Sequence, residues 1–311
     1  NIVSLKENNR ELERNEINDR IHKYYSELYR KQDAIENNEF EEEFQRFVPA
    51  ELNNVAEGKI CDNVITINEL TKTLFKKLNP GKSPGNDGLT VGIYKTFWDE
   101  LKQPLYECLV ESINTGEMPT SMRQSVIKLL RKKGKDPNNI KSYRPISLMN
   151  VDAKIFSRLL ASRIEGGLKS IIGRQQLGFV KGRNINEGIR NIDYCINNME
   201  NRRVNGAICA FDFEKAFDSV SHRYIWRLLS YMGIPDNVIK MIKTLYKNPE
   251  AAVMNNGLTT RYFEQGRACR QGDAISPYLF ILAIEPLLRR IEENENIHGI
   301  RLPSGRKIKT S

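Results

Sequence analysis

An α+β fold, with a central antiparallel sheet backed by helices, follows from three features of the sequence. Helical stretches alternate with hairpins and isolated strands rather than with regular strand–helix repeats. Turn residues at 255–257 (Asn-Asn-Gly) and at Gly134 and Pro137 each separate two short apolar runs, as in hairpins. The apolar run GAICAFDF, residues 206–213, is too short for a helix and reads as a strand buried on both faces.

From the N-terminus, residues 4–33 carry Leu5, Leu12, Ile17, Ile21, Tyr24, Tyr25 and Leu28 among dense charge, an amphipathic helix or helix pair. The acidic stretch 36–43 is a linker or a helix start. Asn68 is positioned to cap a helix whose Leu70, Leu74, Phe75 and Leu78 share a face, ended by Asn79-Pro80-Gly81. The loop GKSPGNDG (81–88) leads into one long helix carrying Tyr94, Phe97, Trp98, Leu101, Leu105 and Leu109. Residues 125–148 form two strands around a basic turn, and helices follow at 151–172 and 186–203. Beyond the buried strand, Gly233-Ile234-Pro235 separates two helices and residues 250–265 form a hairpin. The polar loop GRACRQGDAISP (266–277) opens an apolar helix over 278–291. A last strand pair, 299–302 and 306–311, turns at Pro303-Ser304-Gly305.

Composition narrows the function classes. Among 311 residues, 48 Lys and Arg against 39 Asp and Glu give a net charge of +9, so polyanions are the first partners to consider. The five cysteines stand singly and the three histidines are scattered, which argues against a zinc module or a disulfide framework and fits a reducing compartment. No apolar stretch approaches a membrane span and no secretory pattern opens the chain. The expectation is an intracellular protein, nuclear and/or cytoplasmic, not secreted and without a membrane partner. Opening on Asn1 rather than Met, the chain reads as a piece of a longer polypeptide.

Four segments carry candidate chemistry. In AFDFEKAFDSV (210–220), Asp212 falls at the end of the expected strand and Asp218 in the turn beyond it. On one strand the two carboxylates would stand about 20 Å apart, and on one helix they would face different ways, so they do not share a metal. The plain structural reading has Asp212 capping the turn and Asp218 the next helix. The hairpin collects Lys128, Arg131, Lys132, Lys133, Lys135, Lys141 and Arg144, either a solvated turn or a finger that closes on a phosphate-bearing ligand. In RQGDAISP, Asp273 or Ser276 as N-cap and Pro277 at the first helical position explain the helix start. They leave Arg270, Gln271 and Gly272 unexplained. Lys82 and the amides of GKSPGNDG have phosphate-binding chemistry but not the spacing of a P-loop.

The order KSPGNDGLT, SYRPISLMNVDAKIFSRLLASRI, QQLGFVKGRN, AFDFEKAFDSV, GRACRQGDAISPYLFILAIEPL resembles the reverse transcriptase domain of non-LTR (LINE-type) retrotransposons from about residue 68 onward. IHKYYSELY (21–29) is similar to the linker that joins an endonuclease domain to the polymerase in such elements. The resemblance implies a right-hand polymerase with fingers (68–205) and a partial palm (206–311) behind a helical extension (1–67). It implies RNA-templated DNA synthesis by two-metal phosphoryl transfer, with Mg²⁺ or alternatively Mn²⁺. The partners implied are template RNA, a DNA primer, deoxynucleoside triphosphates, an upstream endonuclease and downstream palm and thumb.

Carried over by position, Asp212 matches the first metal-binding aspartate and the Phe213 carbonyl a further ligand. Phe217 matches the aromatic gate against the ribose 2′-hydroxyl. Lys132 and Arg144 match residues that grip the triphosphate, Gln271 and Gly272 line the nucleotide pocket, and the amides of Glu214, Lys215 and Ala216 lie under the phosphates. The basic residues Lys82, Lys128, Arg131, Lys133, Lys135, Lys141 and Arg270 are candidates for nucleic-acid contact. Two departures stand out. Arg131-Lys132 replaces the usual Pro-Lys, leaving Lys132 and Lys133 as alternatives for the triphosphate lysine. The aromatic-Ala-Asp-Asp box that supplies the other metal carboxylates is absent, so this chain is expected to be truncated and inactive alone. The alternatives are a non-catalytic RNA-binding module derived from such a polymerase, or a group II intron-type maturase.

Overall fold

The computed structural model describes residues 2, 4–7, 10–31, 36–202, 205–301 and 307–309. A two-strand hairpin, β1 (Lys6–Glu7) and β2 (Arg10–Glu11), precedes helix α1 (Arg14–Leu28), where the sequence pattern allowed a second helix. Ile17, Ile21 and Tyr25 recur every fourth residue on α1 and are buried together. Helix α2 (Asn37–Phe47) buries Phe44. Helix α3 (Ile67–Lys77) is capped by Thr66, whose hydroxyl accepts from Glu69 N at 3.2 Å; the expected cap, Asn68, lies inside the first turn. The single long helix expected next is two, α4 (Val91–Thr96) and α5 (Trp98–Thr115), broken where Phe97 leaves helical geometry. Just after the break, Trp98 is buried and its indole N–H donates to Thr71 Oγ1 at 2.9 Å, a tertiary bond that local periodicity does not report.

A one-turn helix, α6 (Thr120–Arg123), feeds strand β3 (Gln124–Arg131), which pairs with β4 (Tyr143–Met149) from Ser125 opposite Met149 to Arg131 opposite Tyr143. Helices α7 (Val151–Ile171), α8 (Ile185–Arg202), α9 (His222–Tyr231) and α10 (Asp236–Leu245) follow. Strand β5 (Glu250–Asn255) turns through Asn256 (φ +52°) and Gly257 (φ +79°) into β6 (Leu258–Thr259), the two positive φ values that a tight hairpin needs. β7 (Phe263–Glu264) pairs with β5, α11 spans Ser276–Glu293, and β8 (Ile300–Arg301) pairs with β9 (Lys307–Ile308). The turn expected at 303–305 lies outside the described residues.

The main sheet runs β4-β3-β5-β6 with β7 also on β5, and it is mixed rather than antiparallel. β3 and β5 are parallel, Gln124 beside Glu250 through Lys128 beside Met254. Parallel neighbours need a crossover, here the helices between the two strands, and such long-range pairing leaves no local sequence signal. The GAICAFDF run is the second correction: residues 205–213 are neither helix nor strand, and Phe211 is 86% exposed. An apolar run becomes a strand where a neighbour takes up its backbone and a layer covers its side chains. Among the described residues no strand pairs with it.

Two apolar clusters hold the molecule. The larger surrounds α7, whose Val151, Ile155, Phe156, Leu160 and Ile164 are wholly buried in one cluster with residues of α2, α3, α5, α9, α10 and α11. The smaller lies between α1 and one face of the sheet, joining Ile17, Ile21, Tyr25 and Tyr29 to Ile127, Leu129, Tyr143, Val253 and Phe263. The other sheet face buries Val126 and Ala252 but is open toward the β3–β4 turn, where it carries exposed Lys128, Leu130, Arg144 and Met254. No helix among the described residues is long and apolar enough to cross a membrane.

Candidate active site

The turn after residue 213 and the loop before α11 meet at Asp218. Lys215 adopts φ +52°, and its carbonyl accepts from Asp218 N (2.9 Å) and Ser219 N (3.0 Å), closing a tight turn that continues into a 3₁₀ turn, Phe217–Ser219. The amides of Glu214, Lys215 and Ala216 have no hydrogen-bond partner among the described residues. Phe217 stacks on Phe280 (4.7 Å, 22°) and meets the edge of Phe179 (6.2 Å, 85°). Its carbonyl accepts from Cys269 N at 2.8 Å, joining this turn to the pre-α11 loop.

Asp218 does not cap α9; that role falls to Ser221, whose hydroxyl accepts from Tyr224 N. Asp218 is instead 3% exposed and accepts from Tyr29 Oη (2.9 Å) and Gln271 Nε2 (3.0 Å). Burial raises its pKa, against the opposing pull of these two bonds and of the Lys215 and Lys132 charges. Thus Lys132, at the end of β3, is within electrostatic reach of Asp218. Its backbone N–H donates to Ser142 O (2.8 Å) and its ammonium to Lys141 O (3.2 Å), so it also closes the hairpin. Arg144 lies opposite Leu130 on the open face, and Lys128 lies between Ile146 and Met254. Arg131, Lys133, Lys135 and Lys141 are exposed along the turn.

Gln271 and Gly272 lie along β4, where Ser147 N donates to Gln271 O at 2.7 Å. Gly272 has φ +102°, and a Cβ there would stand 2.9 Å from Ser147 O, so both conformation and space require glycine. Arg270 differs from the other basic candidates. It is 2% exposed, lies 3.7 Å from the Asp273 carboxylate and over the Tyr246 ring at 4.7 Å, and donates to Leu245 O at 3.0 Å. It has no surface to offer a nucleic acid and serves the loop's interior. The expected helix caps are corrected as well: Asp273 accepts from Ser157 Oγ, Ser276 bonds Tyr246 Oη (3.1 Å), and Ile275 occupies the N-cap position without a side-chain cap.

The GKSPGNDG loop is pinned to the start of α7. Lys154 Nζ donates to Ser83 O (2.7 Å), Asp87 N to Asn150 Oδ1 (3.4 Å), and no Cβ fits at Gly85 against Asn150. Lys82 is left exposed. Arg183, from QQLGFVKGRN, donates to the carbonyls of Gly173, Ile172 (2.8 Å) and Gln176 (2.7 Å), fastening the chain beyond α7. Tyr29, Asn150 and Arg183 were not singled out by sequence reasoning. Tyr29 reads as one more apolar-face aromatic, and nothing local marks its hydroxyl as a partner of Asp218.

Asp212 is on the exposed, irregular segment with Phe213 beside it. Among the described residues no cluster of three His, Cys, Asp or Glu can hold a metal ion. One aspartate does not fit a two-metal centre, because divalent ions of this kind take several oxygen ligands each.

Residues 130–301 match the reverse transcriptase (RNA-dependent DNA polymerase) family, and the chain belongs to it. Its relatives are proteins of non-LTR retrotransposons. It is 36% identical over 225 residues to a transposon TX1 uncharacterized 149 kDa protein of Xenopus laevis, covering 72% of this chain and 17% of that protein. It is 28% identical to a Pol polyprotein of the type-1 retrotransposable element R2 of Nasonia vitripennis, covering 68% of this chain and 20% of that protein. It is 26% identical to the RNA-directed DNA polymerase from mobile element jockey of Drosophila funebris, covering 70% and 24%. The chain thus spans about a fifth of the length of these relatives.

Proposed function

We propose that this chain is the nucleotide-binding part of an RNA-directed DNA polymerase that copies template RNA from a DNA primer. The observation that carries this reading is the buried carboxylate of Asp218, which ties the turn after Glu214 to Gln271, itself bonded to β4, the strand that carries Arg144. Lys132 and Arg144 grip the triphosphate of an incoming deoxynucleotide, and the free amides of residues 214–216 lie under it. Gln271 and Gly272 line the pocket, and Phe217, braced by Phe280, excludes a 2′-hydroxyl. Lys132 rather than Lys133 takes the phosphate role in this reading, because its backbone extends the β3–β4 pairing through Ser142 O while Lys133 lies exposed in the turn beyond. The exposed Lys82, Lys128, Arg131, Lys133, Lys135 and Lys141 track the nucleic-acid backbone. In this reading residues 1–67 form a helical extension, 68–205 the fingers and 206–311 part of the palm, of an intracellular, nuclear and/or cytoplasmic protein.

Asp212, with the Phe213 carbonyl, is this chain's contribution to a divalent-metal centre, Mg²⁺ or Mn²⁺ in its place. One carboxylate does not hold two such ions, so the 311-residue chain is expected to bind RNA without extending a primer. Primer extension on an RNA template tests the reading with two proteins, the chain itself and the parent polypeptide that contains it. The chain alone should incorporate nothing and the parent should incorporate deoxynucleotides. A parent that binds RNA but never extends a primer would replace this reading with a non-catalytic RNA-binding module.

A further inference from the structure

Helix α1 lies outside the residues that match the polymerase family, 130–301, yet it reaches the centre of the candidate pocket. Its end is fastened to the start of the pre-α11 loop: Gly266 N donates to Tyr29 O (2.9 Å) and Arg267 Nε to Leu28 O (2.7 Å). No Cβ fits at Gly266, where Lys31 backbone would stand 2.7 Å away. One turn back, the Tyr24 ring lies under Lys215 Nζ at 4.7 Å. Between these contacts the Tyr29 phenol donates to one oxygen of Asp218, and Gln271 Nε2 donates to the other.

We propose that Tyr29 and Asp218 are positioning residues for the nucleotide pocket, a relay by which the N-terminal helix fixes the amide orientation of Gln271. This inference rests on reading Gln271 as a pocket residue. A carboxylate accepts and never donates, so each oxygen of Asp218 dictates which end of its partner faces it. With Nε2 turned to Asp218, Gln271 has its amide oxygen free for the pocket. Burial and the Asp218 charge push the Tyr29 phenol well above its ordinary pKa, which keeps it a donor. In Asp218→Asn one of the two acceptors becomes an amide N–H₂, so either Gln271 Nε2 meets a donor or the Tyr29 hydroxyl must accept instead of donate, and the relay is rearranged in both cases. Tyr29→Phe keeps the ring that stacks on Phe263 (6.2 Å) and deletes only the donated proton.

Two measurements decide it. In the 311-residue chain, which needs no catalysis, hydrogen exchange is followed at Ala268, Cys269 and Asp273, whose amides hold the loop. Tyr29→Phe and Asp218→Asn should each speed that exchange by about tenfold, the equivalent of one lost hydrogen bond. Tyr224→Phe, which deletes a bond to Ala283 O that involves neither Asp218 nor Gln271, should leave it unchanged. In the parent polypeptide, Tyr29→Phe should raise KM for deoxynucleotides by about tenfold with kcat within about twofold, and should add nothing on an Asp218→Asn background. Unchanged exchange and unchanged KM in Tyr29→Phe would overturn the relay while leaving the polymerase reading intact. A wild-type parent without polymerase activity would remove that reading, and the exchange measurement would still decide whether α1 holds the loop.

Discussion

The loop 266–273 lies between β7 and α11 and the segment 205–213 follows α8, and both carry residues proposed for the same reaction, yet they differ in how they are held. The loop is polar in sequence but interior in structure. Ala268, Cys269, Arg270 and Asp273 are buried, and the loop is tied to α1, to β4 and to the 217–219 turn. The 205–213 segment is apolar in sequence but exposed, with Asp212 lying in the open. Hydrophobicity alone therefore does not decide which segment is built; the availability of partners does. In the proposed reading the nucleotide side is assembled within this chain, whereas the metal side is represented by Asp212 on a segment with no sheet neighbour among the described residues.

Substitutions in the two regions should expose that contrast. The largest loss of stability is expected for Arg270→Ala, which strands the buried Asp273 carboxylate and removes a cation over Tyr246. Breaking a buried pair in this way costs about 3–5 kcal/mol, readable as a shift of the denaturation midpoint. A smaller loss should come from acid. His222 donates to Ala268 O at 2.9 Å, at the base of the same loop, and burial, with the Arg270 charge, holds its pKa down to about 4 against an ordinary 6.5. Between those values the unfolded chain binds a proton that the folded chain refuses, so stability falls as pH drops through that window. From pH 7 to pH 5 this one group should remove about 2 kcal/mol, and in His222→Gln that share of the pH dependence should disappear. The smallest effect belongs to the open segment: Asp212→Ala should change the unfolding free energy by less than about 0.5 kcal/mol.

What the sequence revealed follows the same division. The β3–β4 hairpin was legible because Gly134 and Pro137 mark its turn and apolar alternation marks its strands. The split between α9 and α10 was legible because Gly233 takes φ +74° and Pro235 follows at the N-cap. The parallel pairing of β3 with β5 was not, since residues 124–128 and 250–254 meet only after the intervening helices fold. The apolar run at 206–213 has the pattern of a buried strand, but among the described residues it has no neighbour to pair with. The site residues Lys132, Gln271 and Phe217 follow from motif order, but Asp218, which holds the Gln271 amide, reads from the sequence as a cap. Its bonds to Tyr29 and Gln271 cross 189 and 53 residues of sequence, beyond any local rule.

The most direct test of the account pairs two readouts on one substitution, Asp212→Ala, in the parent polypeptide supplied with an RNA template, a DNA primer and deoxynucleotides. The account predicts that incorporation is abolished while RNA affinity and the thermal midpoint stay at their wild-type values. Incorporation that survives the substitution would contradict it, because Asp212 would then not be a ligand of the metal centre that the reaction requires.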